Sequence, residues 1–494
     1  MTEIRRDVNR CSDESYDLII IGGGIYGIML VFEAVRRNLR PLILEKNDFI
    51  SATSLNHHRT VHGGLRYLQS LDILRFLESV GERKWFLKYF PQFVKPMPCL
   101  MTLYGKGLFK NPILRLGLLA NDILSFYRNF SVGKDSRIPR GKVIYPKKTK
   151  KIFHDVDTKG LKGSALWRDA QVEEHQRLMM EVLKLAVASG ADALNYVGVK
   201  KLLTDKNKNS VIGVQAVDEE TGKEYEFHAP TVINAAGPWS RDVAELFDRD
   251  HEYLFKKRLL LWNVLFNRDA LSDHALALSS NGKERRYFFL PWKNRLLVGT
   301  GEMPLPERCT ETEVPDPQME TFIKEINTMV PGLDIKESDI QRIYSGILPA
   351  NAKEQLANRP AFIDHSGEGG PKGLFSISGV KFTTSRLVAD KTLNKVFPGK
   401  KKMPHEKILE KGEIENLSFN YHWEPSNDED LKPLKTIIQN ESVLHLSDLI
   451  LRRTSLGDNP ERAIKILPKI KGIFNWGKDK WDEEVEDLKK FFEN

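Results

Sequence analysis

The spacing of apolar residues changes along this chain, and each change marks an element. Asp17–Ile21 reads DLIII, a continuous apolar run with branched residues, which predicts a strand buried on both faces. From 25 to 37 the spacing becomes helical, with Ile28, Val31, Phe32 and Val35 on one face. A second short run, PLIL, ends at Glu45 and predicts a second strand. Residues 171–189 return to helical spacing with Val172, His175, Leu178, Met179, Val182 and Ala186, and ADALNYVGVKKLL then reads as a strand. Short strands are expected at Thr231–Asn234 and in GLFSIS, the latter followed by a helix. Residues 112–127 predict an amphipathic helix with Ile113, Leu116, Leu119, Ile123 and Phe126 on its apolar face. PGKKKMPHEK (398–407) reads as a linker, after which 428–457 and 459–494 look helical. The tail carries Trp481, Val485, Leu488 and Phe492 in a stripe suited to a cap or a docking surface.

The junction after the first strand carries chemistry. Gly22, Gly24 and Gly27 stand at GxGxxG spacing, directly between a strand and a helix. The first glycine permits the tight turn, the second lets backbone approach a pyrophosphate, and the third lets the helix pack on the strand. Glu45 lies eighteen residues after Gly27, where an acid accepts from the ribose hydroxyls of an adenosine. A dinucleotide fold follows; the alternative is an ordinary glycine-rich turn. Two later segments favour FAD over NAD. NAAGPW ends a buried strand in small residues, so that Ala236 and Gly237 can pass close to a cofactor. SGVKFTTSR opens a late helix after Gly379 and offers a second set of backbone N–H groups to a longer molecule.

Composition narrows the class without choosing a function. The 494 residues exceed one ordinary core and imply two or three domains. No apolar run reaches the length of a membrane span, and the first residues lack the apolar core of a secretory signal. Cys11, Cys99 and Cys309 are scattered, without metal-ligand or CxxC spacing, which fits a reducing, cytoplasmic setting and no metal. The net charge of +8 suits solubility, an anionic ligand or an anionic lipid face, and no nucleic-acid motif accompanies it.

With IIIGGGIYG, SATS followed by VHGGLRYL, NAAGPW, LPWKNRLLVGTGE and SGVKFTTSR on the page, the chain resembles the FAD-dependent glycerol-3-phosphate dehydrogenases, within the D-amino-acid-oxidase-like flavoproteins. The resemblance covers roughly residues 16–397 and continues weakly through LILRRTSLG to 457. It implies an α/β fold: a Rossmann-like FAD domain (1–90, 160–245 and 358–398), an inserted, mostly antiparallel α+β substrate domain (91–159 and 246–357), and a linker with a helical C-terminal region (399–494). It places His62 beside the flavin as a catalytic base, with Arg66, Tyr67 and Lys381 holding a phosphorylated substrate. Guanidinium suits such an anion. The FAD contacts expected are Gly22, Gly24, Gly27, Glu45, Lys46, Thr53, Ser54, His62, Val199, Ala236, Gly237, Gly379, Lys381, Phe382 and Thr383. His57, His58 and Arg59 replace small hydroxyl residues of the family and either reach the pyrophosphate or face water.

Two substrate positions depart from the pattern. Leu348 stands where the family has an arginine, and Asn263 where it has a histidine. Arg285, Arg286, Lys293 and Arg295 flank a strand pair and either compensate or form a solvated edge. The expected function is oxidation of glycerol-3-phosphate or a related polyol phosphate by hydride transfer to FAD, with electrons passed to quinone. A soluble oxidase of a hydroxy acid or amine, using oxygen, is the first alternative; a non-catalytic flavin-binding subunit is the second. The helix at 112–127, flanked by Lys106, Lys110, Arg115 and Arg128, either covers a core or lies on the inner face of a membrane. Oligomeric state is left open.

Overall fold

The computed structural model describes residues 3–105, 111–249, 257–279, 286–415, 417, 419 and 422–493. Its first layer is a six-stranded sheet in the order Ala361–Asp364, Leu374–Ser378, Val232–Asn234, Leu18–Ile21, Pro41–Leu44, Asp192–Leu194. All neighbours pair parallel except the two at the Ala361 edge. Parallel strands need both faces covered, and both are. Helices Ile25–Val35, His175–Ala188 and Ser385–Val396 pack on one face. A three-stranded antiparallel sheet (Val197–Thr204, Val211–Asp218, Glu224–His228) packs on the other.

The second layer is a nine-stranded sheet, antiparallel except where Ala275–Ser279 meets Val94–Leu103. Helix Asp316–Met329 covers its outer face through Met319, Phe322 and Ile326. The opposite face turns toward the first layer, where Thr53 and Asn56 bond to the carbonyls of Ile347 and Ser345.

Three expectations about elements need correction. Gly163–Val172 is a strand of the large sheet, and the helix begins only at His175. Val172 therefore belongs to the strand, and 163–172 to the substrate layer rather than the FAD layer. Alternation is masked there because an apolar strand runs straight into an apolar helix face. ADALNYVGVKKLL is two strands, Asp192–Leu194 and Val197–Thr204, which lie in different sheets. The C-terminal region is no peripheral cap. Helices Asp428–Asn440, Pro460–Ile470 and Lys478–Glu493 pack into the same core as the FAD layer, with Trp481 and Leu488 buried.

Charge fixes that region in place. Arg453 clamps Asp48 with two bonds of 2.7 Å, and Arg452 reaches the same carboxylate at 2.7 Å. Burial pushes the Asp48 carboxyl up, but the two guanidiniums outweigh it and hold it at about 2. Asn195 also donates to Asp48, at 2.8 Å. Five residues after Arg453, Asp458 accepts from Tyr344 at 2.8 Å and lies 3.7 Å from Lys293, both on the large sheet. The LILRRTSLG turn thus ties together both layers. Lys293 serves this tie, with Ser455 at 2.6 Å and Glu174 at 3.1 Å, and not a substrate cavity.

His445 makes a second, titratable tie. Its ring nitrogens meet Glu484 at 2.7 Å and Glu220 at 3.0 Å. The Glu484 bond, opposed by burial and aided by Asp448 and Glu220, pushes the imidazolium up to about 9. Because the folded pKa lies above the unfolded value, the stabilisation is complete below about 6.5 and is lost as pH rises through about 9. The Tm should fall by roughly 2–4 °C more between pH 7 and 10 than in His445→Gln. Equal falls in both proteins would exclude the tie.

Candidate flavin and substrate site

The cofactor cleft is built by close approach of backbone. Gly22 has φ of +108°, and a Cβ there would lie 2.9 Å from the Ala235 carbonyl oxygen. The first turn and the end of Val232–Asn234 therefore touch, with Ala236 and Gly237 just beyond. A Cβ on Gly27 would lie 1.9 Å from the Gly22 oxygen, so helix and strand pack as the spacing requires. Gly24 is the N-cap of Ile25–Val35, and the Ser54 hydroxyl accepts from the Ile25 N–H at 3.0 Å. Ser54 thus stands at the helix N-terminus, where a phosphate is favoured. Thr53 does not share that place, since its hydroxyl donates to the Ile347 carbonyl at 2.7 Å.

Glu45 accepts from the N–H groups of Gly23 at 2.5 Å and Asn47 at 2.8 Å. Burial pushes its carboxyl up against those two donors. Val197 donates to the Glu45 carbonyl at 2.8 Å, which lays the strand bearing half-buried Val199 alongside the acid. Lys46 is exposed at the same end. The late segment closes the other end. A Cβ on Gly379 would lie 2.1 Å from the Tyr26 ring, and Tyr26 donates to the Lys381 carbonyl at 3.0 Å. Tyr26 went unnoticed in the sequence, although it stands at one of the three free positions of the GxGxxG spacing. The narrow backbone cradle, the acid and the helix N-terminus with Ser54 beside it fit an FAD.

The catalytic candidates gather where the two layers meet. The His62 N–H donates to the Thr383 hydroxyl at 3.0 Å, which joins the HGGLRYL segment to the closing segment. His62 Nδ1 lies 3.2 Å from Asp169 Oδ2, and the His62 side chain is half exposed. Asp169 also accepts from the Gly63 N–H at 2.7 Å and from Arg83 at 2.9 Å. Burial pushes its carboxyl up, but His62, Arg83 and Gly63 together hold it at about 2. Asp169 and Arg83 were invisible as site residues. The one signal was an Arg-Asp pair interrupting the apolar strand ALWRDAQV.

The HGGLRYL and closing segments also carry cations. Lys381 Nζ bonds the Tyr67 hydroxyl and lies 4.5 Å from the ring centroid; Arg75 lies 4.5 Å from the same ring. Arg66 is exposed and makes no hydrogen bond or ion pair among the described residues. Leu348 and Asn263 lie on the sheet face that carries Gly346, which abuts Thr53. Asn263 is buried, with its amide donating to Asn56 and its oxygen accepting from Thr300, both at 3.2 Å. Those bonds use its polar atoms internally.

The neighbouring substitutions resolve differently from either expectation. Arg59 neither reaches a phosphate nor faces water. It is buried over Tyr344 at 4.5 Å and donates to the Leu55 carbonyl at 2.6 Å. His57 stacks on Phe382 with centroids 4.2 Å apart. Burial pushes the His58 imidazole down to about 3, and the charges of His62 and Arg59 push the same way. Arg295 pairs with exposed Asp269 at 3.1 Å and forms the solvated edge; Arg285 lies outside the described residues.

Comparison with known proteins agrees with the geometry. Residues 17–392 match the family model described as FAD dependent oxidoreductase. A glycerol-3-phosphate dehydrogenase of Synechocystis is 30% identical over 406 residues, 79% of this chain and 72% of that protein. The aerobic glycerol-3-phosphate dehydrogenase of Bacillus subtilis is 29% identical over 76% of this chain and 66% of its own. Among solved structures, the FAD complex of a Bacillus halodurans glycerol-3-phosphate dehydrogenase superposes with a TM-score of 0.73 at 19% identity, covering 98% of this chain and 96% of that one. An L-α-glycerophosphate oxidase of Mycoplasma pneumoniae gives 0.58 at 15% identity, over 79% and 97%. The cleft, its donors and these matches together place the chain in the FAD-dependent oxidoreductase family.

Proposed function

We propose that the protein oxidises the secondary alcohol of sn-glycerol-3-phosphate or a related small phosphorylated polyol. The observation that carries the reading is the His62–Asp169 pair, with the cations Arg66 and Lys381 and the Tyr67 hydroxyl on the two segments that the His62–Thr383 bond joins. Asp169 keeps the proton on His62 Nδ1, which leaves Nε2 as the acceptor. Nε2 takes the hydroxyl proton of the carbinol as the C–H bond breaks. Bound FAD supplies the acceptor for the departing hydride. Arg66 and Lys381 neutralise the phosphate and set the carbinol's position. The names of the relatives quoted above supply the substrate class. One observation favours a second reading, an oxygen-using oxidase of a hydroxy acid or amine: Leu348 carries no charge, and Asn263 has its polar atoms committed.

The acceptor reading is quinone at a membrane face. No helix of the described residues is long and apolar enough to cross a membrane. Helix Asn111–Leu124 buries Leu118 and exposes Leu116 at 68%, with Phe126 beyond it at 69%. Leu71 and Leu74 extend the same exposed apolar character at the start of Ile73–Tyr89. Apolar side chains of this number, with Arg115 and Lys84 among them, suit the interface of an anionic bilayer. Arg128 does not contribute, being buried against Asp122 at 2.9 Å, and Lys106 and Lys110 lie outside the described residues.

Three outcomes are expected. Anaerobic sn-glycerol-3-phosphate should bleach the flavin band near about 450 nm; an unbleached flavin that dithionite still reduces would remove the substrate reading. Asp169→Asn and His62→Ala should each lower kcat about 100-fold or more, with KM changed far less. A purely structural Asp169 would instead lower stability and leave kcat intact. The protein should pellet with anionic vesicles, and Leu116→Glu with Phe126→Glu should leave it in the supernatant. Wild-type protein that stays in the supernatant, and produces peroxide, would favour the oxidase.

A further inference from the structure

Sheet register brings His62 to Asp169: Val61 stands opposite Ala170, and the next pair outward is His62 with Asp169. The strand that carries this register, Thr60–Val61, has two residues and ends there. The group that keeps the carboxylate aimed comes from outside the sheet. Helix Ile73–Tyr89 presents Ser79 and Arg83, four residues apart, on one face. Both glycines of the HGG turn rest on that face. A Cβ on Gly64 would lie 2.9 Å from Ser79, and a Cβ on Gly63 would lie 1.9 Å from Arg83 Nη1. The bare backbone at Gly63 is what lets the guanidinium reach beneath the turn.

Arg83 Nη1 donates to Asp169 Oδ1 at 2.9 Å and to the Arg168 carbonyl at 2.8 Å. The Gly63 N–H donates to the same Oδ1 at 2.7 Å. Oδ1 is thereby occupied, and Oδ2 is the oxygen turned to His62 Nδ1. No other group around the pair replaces that charge. Trp167 Nε1 reaches Oδ2 at 3.5 Å and is neutral. Burial keeps the Cys99 thiol neutral, and it does the same for His58 across Phe288. Arg128, whose charge acts on Arg83, is paired with Asp122 at 2.9 Å. Arg168 alternates to the opposite face of its strand. Among the described residues, neither Arg66 nor Lys381 bonds Asp169. Asp169 and Arg83 are both buried. Without Arg83, the carboxylate either takes up a proton itself or draws one onto both ring nitrogens of His62. Both changes remove Nε2 as the acceptor.

We propose that Arg83 is a positioning residue of the proton-accepting pair: it fixes Asp169 so that His62 Nδ1 keeps its proton and Nε2 stays open. This rests on the reading of His62 as the base. The residue before it serves the other half of the site. Glu82 accepts from Arg386 of the closing helix at 3.0 Å, and Arg386 also donates to Glu33 at 3.0 Å. One turn of helix Ile73–Tyr89 therefore braces both the HGG segment and the closing segment.

The test compares Arg83→Met and Arg83→Lys with wild type, all as FAD-loaded protein. With sn-glycerol-3-phosphate, Arg83→Met should lower kcat about tenfold to a hundredfold and change KM by less than about twofold. The acid limb of its kcat profile should move up by about one pH unit. Arg83→Lys keeps the charge but not the fork, so its limb should stay in place while kcat falls about threefold to tenfold. A second readout needs no substrate. Nitrogen NMR of labelled histidines, with His62→Gln to assign the signal, should show His62 protonated at Nδ1 alone in wild type. At the same pH, Arg83→Met should show a mixed or doubly protonated ring. A lower melting temperature with the acid limb and the His62 signal unchanged would make Arg83 merely structural and overturn the proposal. If Arg83→Met loses its flavin, Arg83→Lys decides, and wild-type kcat with a wild-type His62 signal there would overturn it. Wild type that shows the expected His62 signal but does not turn over sn-glycerol-3-phosphate would remove the substrate reading alone, and the NMR comparison would then decide the role of Arg83.

Discussion

Asp48 meets Arg452 and Arg453 across four hundred residues of chain, and the rest of the architecture is arranged around that contact. Asp48 lies in the loop that follows the second strand. That loop begins with Glu45 and backs onto the glycine turn, since Ile50 donates to the Gly23 carbonyl at 3.1 Å and Phe49 would touch any side chain at Gly23. Four buried charges meet there, because Asp448 also pairs with Arg452; removing one leaves a buried charge under-compensated and costs about 3–5 kcal/mol. The arginines come from a turn that also anchors the substrate sheet through Asp458. The cofactor loop, the C-terminal helices and the substrate sheet are thus fixed relative to one another by one short segment.

That fixing matters because the chemistry is divided among the layers. His62 and Lys381 are held by segments linked through Thr383 and Tyr26. Asp169 and Phe288 come from the large sheet, and His62 directly follows its edge strand Thr60–Val61. The 3.2 Å contact of His62 with Asp169 is therefore set within one sheet, and what the junction must hold against that sheet is Lys381 and the cofactor cleft. Proton transfer and substrate positioning both fall steeply with small displacements, so rigidity at the junction is part of the mechanism.

What could be read from the sequence was what is local in the chain. The strand, glycine turn, helix and acid from Asp17 to Glu45 lie within thirty residues, and periodicity shows them directly. The closing segment at Gly379 and the small-residue strand end at Ala236 were legible for the same reason. Contacts between distant segments were not. Nothing near His62 announces Asp169, and nothing near Asp48 announces Arg453. The Gly163–Val172 strand was misplaced because its apolar run merges with the following helix. Arg59 was open between a pyrophosphate ligand and a water-facing residue, and the space beside Tyr344 and Trp292 claims it instead.

The most direct measurement is the effect of Asp48→Asn on flavin retention and on unfolding. Asparagine keeps the shape and removes the charge that both arginines share. If the ionic tie organises the cleft, the variant should release FAD more readily, melt at a lower temperature, and recover much of that loss when excess FAD is added. If the C-terminal region loosens, seen as faster proteolysis in the 399–427 segment, while FAD is held as tightly as in wild type, then the cleft stands without the tie and the account is wrong.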